Sequence, residues 1–368
     1  MTELEKEDRK WMRRAIALAR LSEGYTRPNP PVGAVIVKDG RKIGEGRHMA
    51  AGLPHAEVNA FEACGESPKG ATLYVTLEPC STTGRTPPCT DRILKEGIAR
   101  VVVGCVDENS RHAGAGLTLL RERGVAVEVG VCGDEARELA LPFFKHIRTG
   151  MPFVTLKLGM TLDGRIADRT NHSQWITGEA ARGYVQTLRR RADAVCVGSG
   201  TALADNPSLL CRIEGGERLL RVVIDAKGKL PPGSQLLTDG AAERTRIMTT
   251  SEVAERQGGA WSRHGAQVWR FEPDARGHLD LHEVLYRLGH DEQVMHLLCE
   301  GGGGLAGALH EAGLVDEYAL FYAPMVLGDD QAISGFAGQG GTLLGEIQRL
   351  TLIEVRKLDE DVLVRYRP

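Results

Sequence analysis

The sequence predicts two consecutive α/β domains, and three observations carry that expectation. The chain has 368 residues, more than one typical domain holds. From Pro31 onward, short β-rich runs alternate with stretches of helical periodicity, the signature of helices layered on a sheet. The alternation stops at Arg148-Thr149-Gly150-Met151-Pro152, where glycine closely followed by proline ends a helix, and then starts afresh. The expected segments are therefore 1–149 and 150–368.

Each element has its own local signal. Thr2 to Arg14 is crowded with charge, while Trp11, Ala15 and Leu18, with Met12, Ile16 and Ala19, recur at helical spacing, so an amphipathic first helix is expected. Val32–Val37, Lys42–Glu45, Thr72–Thr76, Arg100–Cys105 and Val125–Val129 read as strands. Helices are expected near 56–65, 89–97 and 115–123, with a last one from Asp134 to Ile147. Past the break, Pro152-Phe153-Val154-Thr155-Leu156-Lys157 opens a new β-rich run. Further strands are expected near 193–198, 220–225, 245–249, 294–299, 318–323 and 351–356, with helices between them.

Composition excludes several classes. The formal net charge is −3, and neither segment is basic: 1–150 carries 22 Lys+Arg against 20 Asp+Glu, and 151–368 carries 24 against 29. A protein that binds by neutralising many phosphates needs more positive charge than that, so no nucleic-acid partner is expected. No apolar run approaches the length of a membrane span, so no membrane partner is expected either. The charged N-terminus is unlike a secretion leader, and the eight cysteines show no regular framework, which points to a reducing cytoplasm.

The densest chemistry is His55-Ala56-Glu57, followed by Pro79-Cys80 and then Cys89. One histidine and two cysteines make three good zinc ligands, and soft thiolates with imidazole favour zinc over harder ions. Three protein ligands leave a fourth position open, where zinc lowers the pKa of water to roughly 7. Glu57 stands where it can take the proton from that water and return it to a departing amino group. That combination is what zinc deaminases of nucleobase-like rings require. His55 and Cys89 each fall at the start of an expected helix, where backbone N–H groups point toward thiolates and a developing oxyanion. A lone histidine or cysteine is usually core, and a Cys-x8-Cys spacing alone is weak; the ordered set carries the reading. Nucleic-acid-editing deaminases share its pattern but usually have two residues between the cysteines and a basic, aromatic-rich surface. Here eight residues intervene and aromatics make up 5% of the chain. A non-catalytic binding protein is a further alternative, which the intact His55, Glu57, Cys80 and Cys89 speak against for the first segment.

In the second segment, apolar Val294–Cys299 leads to Gly302-Gly303-Gly304-Leu305-Ala306-Gly307, a literal G-x-G-x-x-G entering a helical stretch. Such a turn offers backbone N–H groups to a pyrophosphate, or is a plain tight turn. Its late position and the missing acidic residue at the usual distance argue against an ordinary Rossmann domain.

The motifs also carry a resemblance. Arg27-Pro28-Asn29-Pro30, Gly46-Arg47-His48, His55-Ala56-Glu57 and Leu77-Glu78-Pro79-Cys80, with Gly84-Arg85-Thr86-Pro87-Pro88-Cys89, resemble the deaminase half of the bifunctional riboflavin biosynthesis deaminase/reductase family. Lys157-Leu158-Gly159-Met160-Thr161-Leu162-Asp163-Gly164-Arg165, Ser173-Gln174-Trp175-Ile176-Thr177-Gly178, Gly198-Ser199-Gly200-Thr201, Ala204-Asp205-Asn206-Pro207 and Glu300-Gly301-Gly302 are similar to its reductase half. The resemblance implies an N-terminal cytidine-deaminase-like α/β/α sandwich followed by a dihydrofolate-reductase-like α/β domain. The implied reactions are zinc-dependent hydrolytic deamination of 2,5-diamino-6-(5-phosphoribosylamino)pyrimidin-4(3H)-one, then NADPH-dependent reduction of its ribosyl group to give 5-amino-6-(5-phosphoribitylamino)uracil. A small-molecule substrate and a homo-oligomer are implied as partners.

The resemblance also implies residue roles. His55, Cys80 and Cys89 match the zinc ligands and Glu57 the catalytic acid/base. Asn29 and His48 match positions facing the pyrimidine, and Arg85 stands near the substrate phosphate. Lys157 matches a position where an ammonium can steady or protonate the oxygen developing during hydride transfer. Ser173, Arg189, Leu209, Arg212 and Glu300 match substrate positions, with Arg189 and Arg212 suited to holding a phosphate bidentately. Gly159, Trp175, Thr201, Asp205 and the turn Gly302, Gly303, Gly304, Leu305, Ala306, Gly307 and Ala308 match cofactor positions. Outside this set, His112, His146, His172, His264, His278, His282, His290, His296 and His310 have no motif around them and read as ordinary.

Two departures stand out. Between the cysteines the family usually reads S-H-x-G, and here Ser81-Thr82-Thr83-Gly84 places Thr82 where a histidine would face the substrate phosphate. After the strand aspartate, Ala226 stands where a polar residue is usual. Deamination is expected to persist with weaker substrate binding, so Thr82→His should lower the deaminase KM by several-fold with kcat little changed, each read by steady-state ammonia release. An unimproved KM contradicts the role given to position 82.

Overall fold

The charged N-terminal segment does form an amphipathic helix, α1 (Glu3–Arg20), opened by a capping box in which Thr2 Oγ1 accepts from the Glu5 N–H and Glu5 Oε2 accepts from the Thr2 N–H. The computed structural model describes residues 2–83, 87–110, 112–338 and 343–368. It divides into two compact units, Met1–Gly150 and Met151–Pro368.

After α1 the first unit runs β1 (Gly33–Lys38), β2 (Arg41–Arg47), α2 (Ala56–Glu62), β3 (Thr72–Leu77), α3 (Cys89–Lys95), β4 (Arg100–Cys105), α4 (Ala115–Glu122), β5 (Ala126–Val129) and α5 (Gly133–Thr149). The sheet order is β2-β1-β3-β4-β5, antiparallel about β1 and parallel from β3 to β5. Strand side chains alternate faces. Val35, Val37, Tyr74 and Val102 pack on one side against α1 and α5, through Met12, Ala15, Ile16, Ala136 and Leu139. Ala34, Ile36, Leu73, Val75, Val101 and Val103 face the other side, against Ala56, Ala60 and Phe61 of α2, Ile93 of α3 and Leu117 and Leu120 of α4. The result is the expected α/β/α sandwich.

Glycines set how close its helices approach. A Cβ at Gly33 would lie 2.0 Å from the Ala15 carbonyl oxygen of α1. On β2, a Cβ at Gly44 would lie 2.3 Å from the Ala60 carbonyl oxygen and one at Gly46 2.4 Å from the Ala60 nitrogen. Helix α2 therefore rests on the β2 backbone itself.

The second unit runs β6 (Phe153–Thr161), β7 (Arg165–Ala167), α6 (Glu179–Arg191), β8 (Ala194–Gly198), α7 (Ser199–Asp205), β9 (Leu220–Ile224), α8 (Gln235–Thr238), β10 (Thr245–Thr250), α9 (Ser251–Ser262) and β11 (Gln267–Phe271). It continues with α10 (Leu281–Asp291), β12 (His296–Cys299), α11 (Gly303–Glu311), β13 (Glu317–Ala323), β14 (Ile333–Ser334), β15 (Thr351–Leu358) and β16 (Asp361–Arg367). Nine strands form one sheet in the order β11-β10-β9-β8-β12-β6-β13-β16-β15, parallel up to β13 and antiparallel beyond it. Helices α10 and α11 cover one face, α6 and α9 the other. Four strands of this unit, β7, β11, β14 and β16, were not among those the sequence pattern predicts. No helix among the described residues is long and apolar enough to cross a membrane.

One buried ion pair locks α1 to the sheet. Asp8 accepts from Arg100 at 2.7 and 2.8 Å and from the Tyr74 hydroxyl at 2.8 Å. Burial raises the Asp8 pKa, but the Arg100 and Tyr74 hydrogen bonds outweigh it and the net shift is downward. A lowered carboxylate pKa stabilises the fold above the unfolded value of about 3.9 and ceases to do so as pH falls through the folded value. Asp8→Asn should therefore cost about 1.5–3 kcal/mol at pH 7, with the gap to the parent narrowing below about pH 4; denaturant titrations at both pH values check this.

Candidate active sites

The first site lies off the C-terminal ends of β3 and β4. His55 is the N-cap of α2 and Cys89 the first residue of α3, as expected. The Cys89 N–H donates to Cys80 Sγ at 3.3 Å, and the Thr90 N–H donates to the Cys80 carbonyl at 3.2 Å, which stitches the Pro79-Cys80 turn to the start of α3. His55 Nδ1 lies 3.3 Å from Cys89 Sγ and 3.6 Å from Cys80 Sγ, and the three ligand atoms fall within 4.8 Å of one another. Zinc bonds of ~2.1 Å to nitrogen and ~2.3 Å to sulfur at tetrahedral angles require N···S separations near ~3.5 Å, so this donor set fits the ion. Hydrogen bonding from Cys89, joined by that from His55, outweighs burial and draws the Cys80 thiol down to about 4. Glu57 is the second residue of α2 and is 3% exposed. Burial, with the negative charge of Cys80 added, pushes its carboxyl up to about 7.

Asn29 and His48 also meet here. His48 is buried, which lowers its pKa; the neutral ring donates from Nδ1 to the Pro54 carbonyl at 3.0 Å and accepts at Nε2 from Asn29 Nδ2 at 3.0 Å. Its ring stands edge-on to His55, centroids 5.4 Å apart. Arg85 lies outside the described residues.

Two residues with no role assigned from sequence shape this site. Glu78 is buried, and its carboxylate accepts from the N–H groups of Asp107, Gly114 and Gly116 at 3.2, 2.9 and 3.0 Å, tying the 107–116 loop to the Pro79-Cys80 turn. Asn59 donates from Nδ2 to the Arg47 carbonyl at 2.8 Å and so fastens α2 to β2. The Leu-Glu-Pro-Cys run was the available signal for the first; nothing local marks the second.

In the second unit, a cleft of about 1740 Å³ opens where the parallel strands end. Its floor is Lys157 and Gly159 of β6, Thr201 at the start of α7, and Glu300 with Gly302, Gly303, Gly304 and Leu305 after β12. Ligands in open parallel sheets bind outside such carboxyl ends, where strand order reverses. Ser173, Trp175, Asp205, Leu209, Arg212 and Ala308 line it too, so most sequence-predicted positions converge. Trp175 is 67% exposed, with the Arg182 guanidinium 4.4 Å from its ring centroid; it is no core residue. Ser173 Oγ donates to Asp205 Oδ1 at 3.1 Å. Burial lowers the Lys157 pKa, opposed by the nearby Glu300.

Several of the expected positions already have partners within the protein. Arg189 lines the cleft, and its Nε and Nη2 donate to the two Glu300 oxygens at 2.6 and 3.0 Å, and Nη1 to the Leu210 carbonyl at 3.1 Å. The bidentate geometry that suits a phosphate equally suits the carboxylate beside it, so Arg189 orients Glu300. Ala306 and Gly307 do not face the cleft. Ala306 is fully buried in the core, and a Cβ at Gly307 would lie 2.2 Å from the Ala337 carbonyl oxygen, as one at Gly303 would from that of Ser334. Four residues apart, Gly303 and Gly307 share the helix face that meets the 334–338 segment. The third glycine of the motif thus serves packing. Leu209 lines the cleft yet packs into the core, with φ at +57°, a left-handed conformation uncommon for leucine.

Each unit also matches a known protein family. Residues 5–105 match the cytidine and deoxycytidylate deaminase zinc-binding region, and residues 152–364 match the RibD C-terminal domain. A riboflavin biosynthesis protein RibD from Bacillus amyloliquefaciens is 40% identical over 353 residues, covering 96% of this chain and 94% of that protein. The Escherichia coli protein of that name is 42% identical over 333 residues, covering 88% and 89%. A solved deaminase/reductase from Thermotoga maritima, named for diaminohydroxyphosphoribosylaminopyrimidine and 5-amino-6-(5-phosphoribosylamino)uracil, matches with a TM-score of 0.88 and 36% identity over 100% of both chains. Acinetobacter baumannii RibD matches at 0.85 and 39%, over 99% of each.

Because α2 rests on the β2 backbone, Gly46→Val should displace His55 and weaken zinc binding roughly tenfold or more. Zinc content after dialysis against a graded chelator reads this, and unaltered retention contradicts the positioning argument.

Proposed function

This chain belongs to the RibD family of bifunctional deaminase/reductases of riboflavin biosynthesis, and from that premise we propose how its residues divide the two reactions. Residues 1–149 form the deaminase half and 150–368 the reductase half. The observation that carries the division is that each compact unit holds one complete constellation: His55, Cys80, Cys89 and Glu57 in the first, and Lys157, Glu300 and the glycine turn of α11 in the second.

In the first half, zinc held by His55, Cys80 and Cys89 supplies a Lewis acid that makes water nucleophilic at neutral pH. Glu57 takes the proton of that water as it adds to the pyrimidine 2-carbon, and delivers a proton to the departing ammonia. The paired Asn29 amide and His48 ring fix the face presented to the pyrimidine, and Arg85 is assigned to the phosphate.

In the second half, the N–H groups at Gly302, Gly303 and Gly304 open α11 without a side-chain cap and are offered to the pyrophosphate of NADPH. Gly159, Trp175, Thr201 and Asp205 complete the cofactor side. NADPH would supply hydride to the ribosyl carbon that becomes the ribityl CH₂; the bond from that carbon to the ring oxygen breaks, and the oxygen takes a proton. Lys157 holds that proton, and Glu300, oriented by Arg189, holds Lys157 in its charged form against the cost of burial. Ser173, the Leu209 backbone and Arg212 contact the substrate. The assignment also carries a cytoplasmic location and a homo-oligomer, the latter supported by exposed Leu352, Ile353 and Val355 on edge strand β15.

Mass spectrometry of the diaminopyrimidinone ribosylamino phosphate tests the whole reading. Exchange of an amino group for oxygen should occur without NADPH, and gain of two hydrogens should follow its addition. Glu57→Gln should slow the first step by about 10²–10⁴ while leaving reduction of separately supplied deaminated intermediate intact. Absence of both mass changes in zinc-replete protein overturns the assignment.

A further inference from the structure

We propose that Asp361, the first residue of β16, is a positioning residue of the reductase half: its carboxylate anchors the 173–178 segment, which carries cleft residues for both substrate and cofactor. The proposal rests on the reductase reading above and goes beyond it by naming a residue outside the cleft on which binding depends.

The 173–178 segment has little to hold it from within. It lies between β7 and α6 with no helix or strand of its own, yet Ser173, Gln174, Trp175, Ile176 and Thr177 all line the cleft. Trp175 is mostly exposed, so core packing does not set its place. Two holds come from the cleft wall itself. Ser173 Oγ donates to Asp205, and Arg182 donates from Nη1 to the Thr177 carbonyl while its guanidinium lies over the Trp175 ring. Both Asp205 and Arg182 line the cleft, where a ligand can compete for them.

The third hold comes from far along the chain. Asp361 is 4% exposed and does not line the cleft. Its Oδ2 accepts from the Gly178 N–H at 2.7 Å. Among the described residues no lysine or arginine pairs with this carboxylate, and a buried carboxylate is costly unless hydrogen-bonded, so the Gly178 amide is the partner that justifies it there. Gly178 is the N-cap of α6 and has no side chain to cap the helix. N–H groups at a helix start lack partners within the helix, and the helix dipole favours a negative group beside them. A Cβ at Gly178 would lie 3.4 Å from Asp361 Oδ2, so the carboxylate rests against the backbone where the segment becomes helix. Leu363, two residues along β16, shares a buried cluster with Ala181, Val185 and Leu188 of α6, which fixes strand and helix to each other. Asp361 thus passes the fixed position of the sheet to the end of the segment, and through it to Trp175 and Ser173. Without that anchor the segment drifts and binding weakens, while Lys157 on β6 and Glu300 after β12 keep their places.

Steady-state kinetics of the full-length protein, with NADPH and separately supplied deaminated intermediate, test this. Asp361→Ala should raise the KM for both about tenfold, with kcat within about threefold of the parent. A role confined to stability would instead remove folded molecules and lower kcat at unchanged KM. Asp361→Asn keeps an oxygen in place to accept from Gly178 and should hold both KM values within about threefold of the parent. Asp361→Glu keeps the charge but displaces the acceptor by a methylene, and should raise KM as alanine does; that contrast with asparagine carries the test if the alanine protein does not fold. KM values unmoved by alanine and glutamate, or raised equally by asparagine, overturn the proposal and leave the reductase reading intact. A parent that oxidises no NADPH in the presence of the intermediate overturns both.

Discussion

Backbone-to-backbone contact at glycine is the constraint on which both sites depend. Gly44 and Gly46 admit α2 to within a distance no side chain would allow, so the helix start that carries His55 and Glu57 is fixed relative to the sheet that delivers Cys80. Gly303 and Gly307 do the same for α11 against the 334–338 segment, which fixes its free N-terminal N–H groups over the cleft. In each unit the functional helix gains precision from the absence of a side chain. A helix held only by interdigitating side chains would sit several ångströms farther out, with its N-terminus free to shift as those side chains repack.

A second regularity concerns charge. Buried cations in this protein are committed to named partners. Arg100 forks onto Asp8, Arg189 onto Glu300, and Arg221, fully buried, reaches Asp239 and the carbonyls of Ser208, Leu236 and Ala241. Breaking such pairs leaves a buried charge without compensation, which is why they organise structure. Exposed cations at the cleft wall include Arg212, Lys227, Lys229 and Arg276. Lys157 stands between the two groups, half-buried and near Glu300, in keeping with the proton-holding role proposed for it.

Much of this was legible in the chain. The β-rich runs Val32–Val37, Thr72–Thr76 and Arg100–Cys105 were expected as strands; they form β1, β3 and β4, and helices cover both of their faces. The ordered His55, Cys80 and Cys89 predict ligands that converge, and they do. Strand β16 carries Arg365 and Arg367, charged side chains that in an isolated segment favour solvent over a sheet. Folded, they pair with Glu317 on β13, and Arg365 also with Glu354 on β15, so the charge is neutralised across strands. Strand β11 is an edge strand with one fully buried side chain, Phe271, and its local pattern is correspondingly weak.

By itself, the sequence determined which chemistries are present and in what order along the chain, because ligand type, helix starts and strand periodicity are local properties. It determined two α/β layers, a thiolate–imidazole donor set with its glutamate, and a glycine turn after an apolar strand. Tertiary structure decided which groups of equal local promise act. It turned Arg189 onto Glu300 and faced Gly307 toward Ala337. Those outcomes depend on hydrogen-bond partners and burial supplied by residues distant in sequence, and such pairings exist only once the chain has closed on itself.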